Sequence, residues 1–142
     1  MTLMLPPALA DEIRQHAEQA YPEETAGLML GRIEGGDQRL VERVVPLANR
    51  WQDGGRERRY RLEPRDLMAA EDQADRDGLA IVGVFHSHPD HPAQPSGFDL
   101  EQALPYYSYL ITRVDRGAAA ESRAWRLAED RSRFHEEPLR FL

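Results

Sequence analysis

Hydrophobic and polar positions divide the chain into two amphipathic segments and a series of short apolar runs. Apolar residues recur at helical spacing in segments 7–20 and 64–76, each of which opens with a proline and predicts a helix. The runs rich in β-branched and aromatic residues predict strands, and they cover residues 27–33, 39–47, 79–85, 106–114 and 121–127. A glycine-rich turn at 34–37 predicts that the first two strands form a hairpin.

Three further segments complete the predicted order of elements. A short extended segment is expected at 56–61, a short helix begins at Ser96 and is interrupted by Pro105, and the tail 129–142 ends in a strand or a helical turn. The predicted order is α-β-β-β-α-β-α-β-β. This order indicates a mixed β-sheet flanked by helices, an α/β or α+β fold, in a single domain spanning 1–142.

Composition narrows the classes of protein that the chain can belong to. A net charge of −7 argues against a broad nucleic-acid surface. There is no cysteine, so a disulfide framework and a thiolate metal site are excluded. No apolar stretch approaches membrane-spanning length, and the N-terminus lacks the basic region of a secretion signal, so we expect a cytoplasmic protein.

The candidate chemistry lies where the apolar run 79–85 ends. His86 and His88 follow the run directly, Ser96 comes eight positions after His88, and Asp99 comes three after Ser96. Side chains two apart on a strand point to the same face, so both imidazoles could converge on one ion, and Pro89 favours extended backbone at His88. Two imidazoles and a carboxylate are ligands that suit a divalent transition metal, zinc above all, and would leave one position for water.

Simpler interpretations exist for two of these features. Ser96 and Asp99 have the spacing of a helix capping box, in which Ser96 would do no more than cap a helix. His91 is a competing ligand, although an exposed histidine in a proline-rich loop is the more usual interpretation. Paired histidines at strand spacing together with a downstream acid still favour a metal site.

A hydrolytic zinc site also needs a group that takes and returns a proton. No glutamate lies between two histidines on a helix here, so the base must come from elsewhere in the chain. The candidates, all near the starts or ends of predicted strands or of a helix, are Glu23, Glu24, Glu34 and Glu63. Their approach to the metal is tertiary, so spacing alone does not choose among them.

A resemblance to a known family chooses among these four glutamates. The stretch from His86 to Asp99 resembles the His-x-His-x7-Ser-x2-Asp signature of JAMM (MPN-type) zinc metalloproteases, and segment 24–31, Glu-Thr-Ala-Gly-Leu-Met-Leu-Gly, resembles the upstream motif of that family. The resemblance covers roughly the whole chain. It implies an MPN/JAMM fold similar to that of cytidine deaminases.

The resemblance also implies roles for individual residues. Glu24 would be the catalytic acid/base, and Ser96 would donate a hydrogen bond to the oxyanion. One Zn²⁺, with a water as fourth ligand, would be bound by His86, His88 and Asp99.

The substrate that the resemblance implies is a ubiquitin-like protein. Small prokaryotic members are associated with sulfur carriers of the ThiS/MoaD type and cleave the peptide or isopeptide bond after the carrier's C-terminal Gly-Gly. A homodimer is allowed, and neither nucleic acid nor membrane is an expected partner. The alternatives are a non-catalytic MPN-type scaffold, a RadC-like DNA-associated protein, and a zinc hydrolase or deaminase of similar fold.

One basic cluster stands out in the acidic chain. Arg56, Arg58, Arg59 and Arg61 fall within six positions on the segment expected to be extended. The usual interpretation is a solvated edge strand whose charges protect the sheet, and the functional one is a contact surface for an acidic partner.

Overall fold

The computed structural model describes all 142 residues and contains eight strands and three helices. The elements in chain order are β1 (Thr2–Leu5), α1 (Pro7–Ala20), β2 (Ala26–Glu34), β3 (Gln38–Leu47), α2 (Pro64–Arg76), β4 (Ala80–Pro89), α3 (Gly97–Gln102), β5 (Ser108–Asp115), β6 (Ala118–Leu127), β7 (Phe134–Glu137) and β8 (Leu139–Phe141). None of the helices combines the length and the apolar character needed to cross a membrane.

All eight strands form one mixed sheet with the order β7-β6-β5-β4-β2-β3-β1-β8. Strand β4 lies at its centre, antiparallel to β2 and parallel to β5. Only Pro138 separates β7 from β8, yet these strands lie at opposite edges of the sheet. The sheet must therefore curl until its edges approach each other, and every residue of β4 from Val82 to Pro89 is buried.

Helices α1 and α2 pack on opposite faces of this sheet. Ile13 of α1 packs with Met29 and Phe85 in one apolar cluster. Ala74 of α2 packs with Val84 in a second cluster, which also contains Leu28 and Leu30. Because alternate residues of a strand point to opposite faces, side chains that follow Val84 by two and four positions point to the face that carries α2.

Most of the predicted elements are confirmed. The helices predicted at 7–20 and 64–76 have those bounds, each with proline in its first turn. The five predicted strands are present, with ends that differ from the prediction by at most four residues, and β2 and β3 form the predicted hairpin. Gly78 has a φ of 70°, the left-handed conformation that commonly follows the end of a helix.

Three predictions are wrong or incomplete. Segment 56–61 is not extended; it forms a turn followed by irregular backbone, so the edge-strand interpretation of its arginines is wrong. Strand β1 was not predicted, because its partners β3 and β8 are distant in sequence and its four residues carry no local signal. The tail forms two strands rather than one.

The glycines of β2 allow neighbouring strands to approach closely, and this gives a stability prediction. A Cβ placed on Gly31 would lie 1.8 Å from the carbonyl oxygen of Leu40, at the bulge in the β2–β3 pairing. Backbone cannot move aside cheaply, so we expect G31A to lower the free energy of unfolding by about 3 kcal/mol. G35A is the matched control, since a Cβ there meets nothing within 4 Å. Urea denaturation of both variants measures the difference, and equal midpoints would contradict the prediction.

Candidate metal centre

The two histidines of the predicted site lie at the C-terminal end of the central strand. His86 and His88 are each 1% exposed, and their side chains point to the same face of β4. Their Nε2 atoms are 3.1 Å apart. The extended backbone expected at His88 is present, since β4 continues to Pro89. The apolar run thus delivers two imidazoles to one buried point.

Asp99 reaches the same point from the first turn of α3. Its Oδ2 lies 3.3 Å from His86 Nε2 and 3.0 Å from His88 Nε2. The capping box is also present: the Asp99 N–H donates to Ser96 Oγ at 3.0 Å, and the Ser96 N–H donates to Asp99 Oδ2 at 2.9 Å. The cap therefore positions the carboxylate rather than competing with the cluster.

The three converging atoms have the spacing of metal ligands. Their separations of 3.0, 3.1 and 3.3 Å are close to the edge of roughly 3.3 Å expected for a tetrahedron with ligand distances of about 2.0–2.1 Å. His88 Nδ1 lies 2.7 Å from the Pro92 carbonyl oxygen, to which it donates, and this contact fixes the ring with Nε2 turned toward the cluster. His86, His88 and Asp99 thus form a buried group that could hold a metal ion.

The electrostatics of the cluster keep Asp99 ionised. Burial alone would raise the pKa of this carboxyl group. The charge of His86, hydrogen bonds from both imidazoles and the N–H of Ser96 outweigh burial and hold the pKa well below its usual range. An ionised carboxylate beside two imidazole nitrogens attracts a cation, which would take the place of the imidazole hydrogen bonds.

Glu24 lies next to this cluster. It is 2% exposed, and its Oε1 has no hydrogen-bond partner within the protein. Burial, followed by the negative charge of Asp99, raises the pKa of Glu24 to about 9, although the positive charge of Arg59 opposes the shift. A buried carboxyl group with an unpaired oxygen and a raised pKa is suited to accepting and returning a proton.

The pairing of β2 with β4 brings Glu24 to the histidines. Ala26 is the register partner of His86, and the N–H of Thr25 donates to Ser87 Oγ at 2.8 Å. The Glu24 N–H donates to the Arg56 carbonyl at 2.8 Å, and Asn49 Nδ2 donates to the Glu24 carbonyl at 3.1 Å. Strand register and the loop that follows β3 therefore fix Glu24 from both sides.

The other candidate bases lie elsewhere. Glu23 is exposed and its carboxylate is 3.9 Å from Arg56. Glu34 ends β2, eight residues along the strand from Ala26 and thus roughly 26 Å away. Glu63 precedes α2, with its carboxylate 3.7 Å from Arg61.

His91 is closer to the cluster than an exposed loop residue would be. It is partly buried, and its ring stacks on His88 with the centroids 4.0 Å apart. One ligand atom from each of Glu24, His88 and His91 lies within 4.8 Å of the others, so these residues form a second, looser group. The group of His86, His88 and Asp99 is fully buried and has shorter separations, which favours it as the ligand set.

Several aromatic residues around the cluster carried no sequence motif. Tyr60 stacks on His86 with a centroid distance of 4.7 Å, and Trp51 packs edge-on against Phe98 at 5.3 Å. Both come from the irregular loop between β3 and α2. Only the concentration of aromatic and basic residues between 51 and 61 hinted at a functional loop.

Two cavities flank Phe98, which lines both. One, of about 480 Å³, is mostly apolar, and its walls include Tyr60, Leu67 and Tyr109. The other, of about 680 Å³, is polar. Its lining comprises Gly54, Gly55, Glu57, Arg58, Arg59, His91, Ser96, Gly97 and Phe98. Tyr60, which stacks on His86, thus lines the apolar recess, and Ser96, which is hydrogen-bonded to Asp99, lines the polar one.

Several known proteins are similar to this chain in sequence. A family profile described as prokaryotic homologs of the JAB domain matches residues 6–128. The chain is 35% identical over 115 residues to a probable TtuB-protein conjugate cleaving protease of Thermus thermophilus, an alignment covering 81% of this chain and 72% of the relative. It is 32% identical over 112 residues to a desampylase of Haloferax volcanii, covering 74% and 76% of the two chains.

Solved structures confirm the mixed-sheet fold. The solution structure of protein DSY2949 from Desulfitobacterium hafniense is 33% identical with a TM-score of 0.85, covering 99% of this chain and 92% of that one. A JAB1/MPN domain protein, AF2198 of Archaeoglobus fulgidus, has the same fold at 18% identity and a TM-score of 0.59, covering 99% and 96%. The chain therefore belongs to the prokaryotic branch of the JAB (JAMM/MPN) family, as its two sequence motifs indicated.

Proposed function

We propose that this protein is a zinc-dependent metallopeptidase that hydrolyses the peptide or isopeptide bond after the C-terminal Gly-Gly of a ubiquitin-like sulfur-carrier protein. The observation that carries the proposal is the position of the unpaired Glu24 carboxyl group beside the His86, His88 and Asp99 cluster. A cation-binding group and an adjacent buried base are the two parts that metal-assisted amide hydrolysis needs.

Each residue has one task in the proposed reaction. Zinc bound by the two histidines and Asp99 would supply Lewis acidity toward water and the scissile carbonyl. Glu24 takes a proton from the attacking water while the oxygen of that water bonds to the carbonyl carbon. Glu24 then returns the proton to the leaving nitrogen as the C–N bond breaks. Burial favours the protonated form of the Glu24 carboxyl group, the form that returns the proton to the leaving nitrogen, and so raises its pKa.

Ser96 completes the proposed machinery. Its Oγ accepts the Asp99 N–H, while its hydroxyl proton is donated to no acceptor within the protein. A hydroxyl group can donate and accept at once, so Ser96 can cap α3 and still donate to the oxyanion. The capping and catalytic interpretations of this residue are compatible.

The relatives support the substrate class. The Thermus thermophilus relative is described as cleaving TtuB-protein conjugates, and the Haloferax volcanii relative as a desampylase. Both descriptions concern removal of a protein modifier. A scaffold role is disfavoured because all five motif residues are retained, and His86, His88, Asp99 and Glu24 are buried around one point.

The test is a cleavage assay with a defined carrier. A ThiS/MoaD-type protein extended by one residue beyond Gly-Gly is incubated with the zinc-loaded protein, with and without a chelator, and the masses of the products are read. We expect loss of the added residue, suppressed by the chelator. An intact carrier, together with an intact carrier–lysine conjugate, would overturn the proposed function.

A further inference from the structure

Two arginines of the basic cluster line the polar cavity beside the metal centre and have no acidic partner. Arg58 and Arg59 line the polar cavity together with Ser96 and His91. Neither guanidinium group forms an ion pair or donates a hydrogen bond within the protein, whereas Arg56 and Arg61 lie 3.9 and 3.7 Å from acidic oxygens. The only acid in the cavity wall is the exposed Glu57, so the cavity has a net positive charge. These donors are available to an anionic ligand.

Arg59 is held on the side of the centre where Glu24 lies. Its guanidinium carbon is 4.5 Å from the centroid of the Phe98 ring, a cation–π contact, and Trp51 packs edge-on against that ring. Asn49 Nδ2 donates to the backbone carbonyls of both Glu24 and Arg59, at 3.1 and 3.0 Å, and so holds these two residues side by side. Arg59 is therefore positioned by aromatic contacts rather than by an acid, and its donors remain uncommitted.

Under the proposed function, the leaving group of the substrate lies in the part of the site that is next to Glu24. Glu24 returns its proton to the departing nitrogen, so the atoms attached to that nitrogen begin next to Glu24. If the departing group is a single α-linked amino acid, its carboxylate is one carbon away from the nitrogen. If the departing group is a lysine ε-amine, no carboxylate is nearby. The apolar cavity on the other side of Phe98 is then available to the carrier residues that precede the scissile bond.

We propose that Arg58 and Arg59 form a carboxylate-binding subsite that makes the protein prefer a single, α-linked C-terminal residue after Gly-Gly over a lysine-linked conjugate. The inference rests on the proposed function and refines its substrate. A guanidinium group suits this task because its N–H donors match the two oxygens of a carboxylate. The reaction remains simple hydrolysis, in which OH is added to the carbonyl carbon and H to the leaving nitrogen.

The test compares three versions of one carrier. The first ends in Gly-Gly-Ala with a free carboxylate, the second in Gly-Gly-Ala amide, and the third is linked through Gly-Gly to the ε-amine of a lysine amide. We expect kcat/KM for the free carboxylate to exceed that for each of the others by about tenfold. R59Q should bring the carboxylate-to-amide ratio close to 1, and R58Q should lower it.

The carboxylate-to-amide ratio of kcat/KM distinguishes carboxylate recognition from a general effect of the arginine on Glu24. Loss of the Arg59 charge alters Glu24 equally for both alanine substrates, so only a lost carboxylate contact changes the ratio. R65Q, which removes an exposed charge from α2 outside the cavity, is the matched control and should keep the wild-type ratio. Equal cleavage of the acid and the amide by the wild type, or an unchanged ratio in R59Q, overturns the subsite alone. Cleavage of none of the three overturns the proposed function and the subsite with it.

Discussion

Replacing Glu24 by glutamine is expected to abolish hydrolysis while leaving the fold and zinc binding intact. Glutamine has nearly the shape of glutamate but cannot take a proton from water. General acid–base catalysis contributes about 10²–10⁴-fold, and one residue here serves both transfers, so we expect kcat to fall by roughly 10³-fold or more. Mass-resolved cleavage of the extended carrier gives the rate, and metal analysis of the purified variant gives its zinc content.

The neighbouring glutamate provides the control. Glu23 is exposed, and its side chain does not enter the cluster, so E23Q applies the same chemical change one position away. We expect E23Q to retain wild-type kcat. If E24Q kept full activity, or if E23Q lost as much, the base would have been assigned to the wrong residue.

The same substitution has an expected effect on the stability of the metal-free protein. In the unfolded chain the Glu24 carboxyl group has the ordinary glutamate pKa of about 4.5, and burial raises its pKa in the folded protein to about 9. Between these values the unfolded chain releases a proton that the folded chain keeps, so stability is present at low pH and is lost as pH rises. Glutamine does not titrate, so E24Q does not lose stability in this way as the pH rises. With chelator present, its Tm should exceed that of the wild type by roughly 10 °C or more at pH 8 and match it near pH 4.

The sequence predicted the elements whose signals are local. Segments 7–20 and 64–76 carry both an apolar face and a proline start, so their bounds could be stated to the residue. The positions of His86 and His88 followed from a continuous apolar run and the two-residue period of a strand. Asp99 followed from the capping spacing. Each of these depends on neighbours within about one helical turn or a few strand positions.

What could not be predicted depends on distant contacts. Strand β1 exists because β3 and β8 flank it, and Glu24 reaches the cluster through the register between β2 and β4. Spacing in the sequence left four glutamates as candidates for the base, and only the family resemblance chose among them. Arg59 was expected on an edge strand, but its guanidinium group lies over the ring of Phe98 and lines the polar cavity that Ser96 also lines. Periodicity within 56–61 contained no information about that contact.

Asn in place of Asp99 is expected to weaken zinc-dependent stability and activity together. The amide oxygen can still accept the Ser96 N–H, so the cap of α3 is preserved, but the negative charge among the imidazoles is lost. Zinc at about 1,000 times its Kd stabilises a folded protein by about 4 kcal/mol. A hundredfold weaker affinity in D99N would leave about a third of that stabilisation at the same zinc concentration. Thermal unfolding with and without zinc measures the difference.

Two further variants decide which ligand set the zinc uses. E101Q changes an exposed acid on the same helix and should keep the full zinc-induced rise in Tm. H91A should also keep it if His86, His88 and Asp99 bind the ion, because His91 belongs only to the looser group with Glu24 and His88. The reverse pattern, with D99N responding to zinc and H91A not, would assign the metal to that second group. Glu24 would then be a ligand, and the proton transfers proposed for it would need another residue.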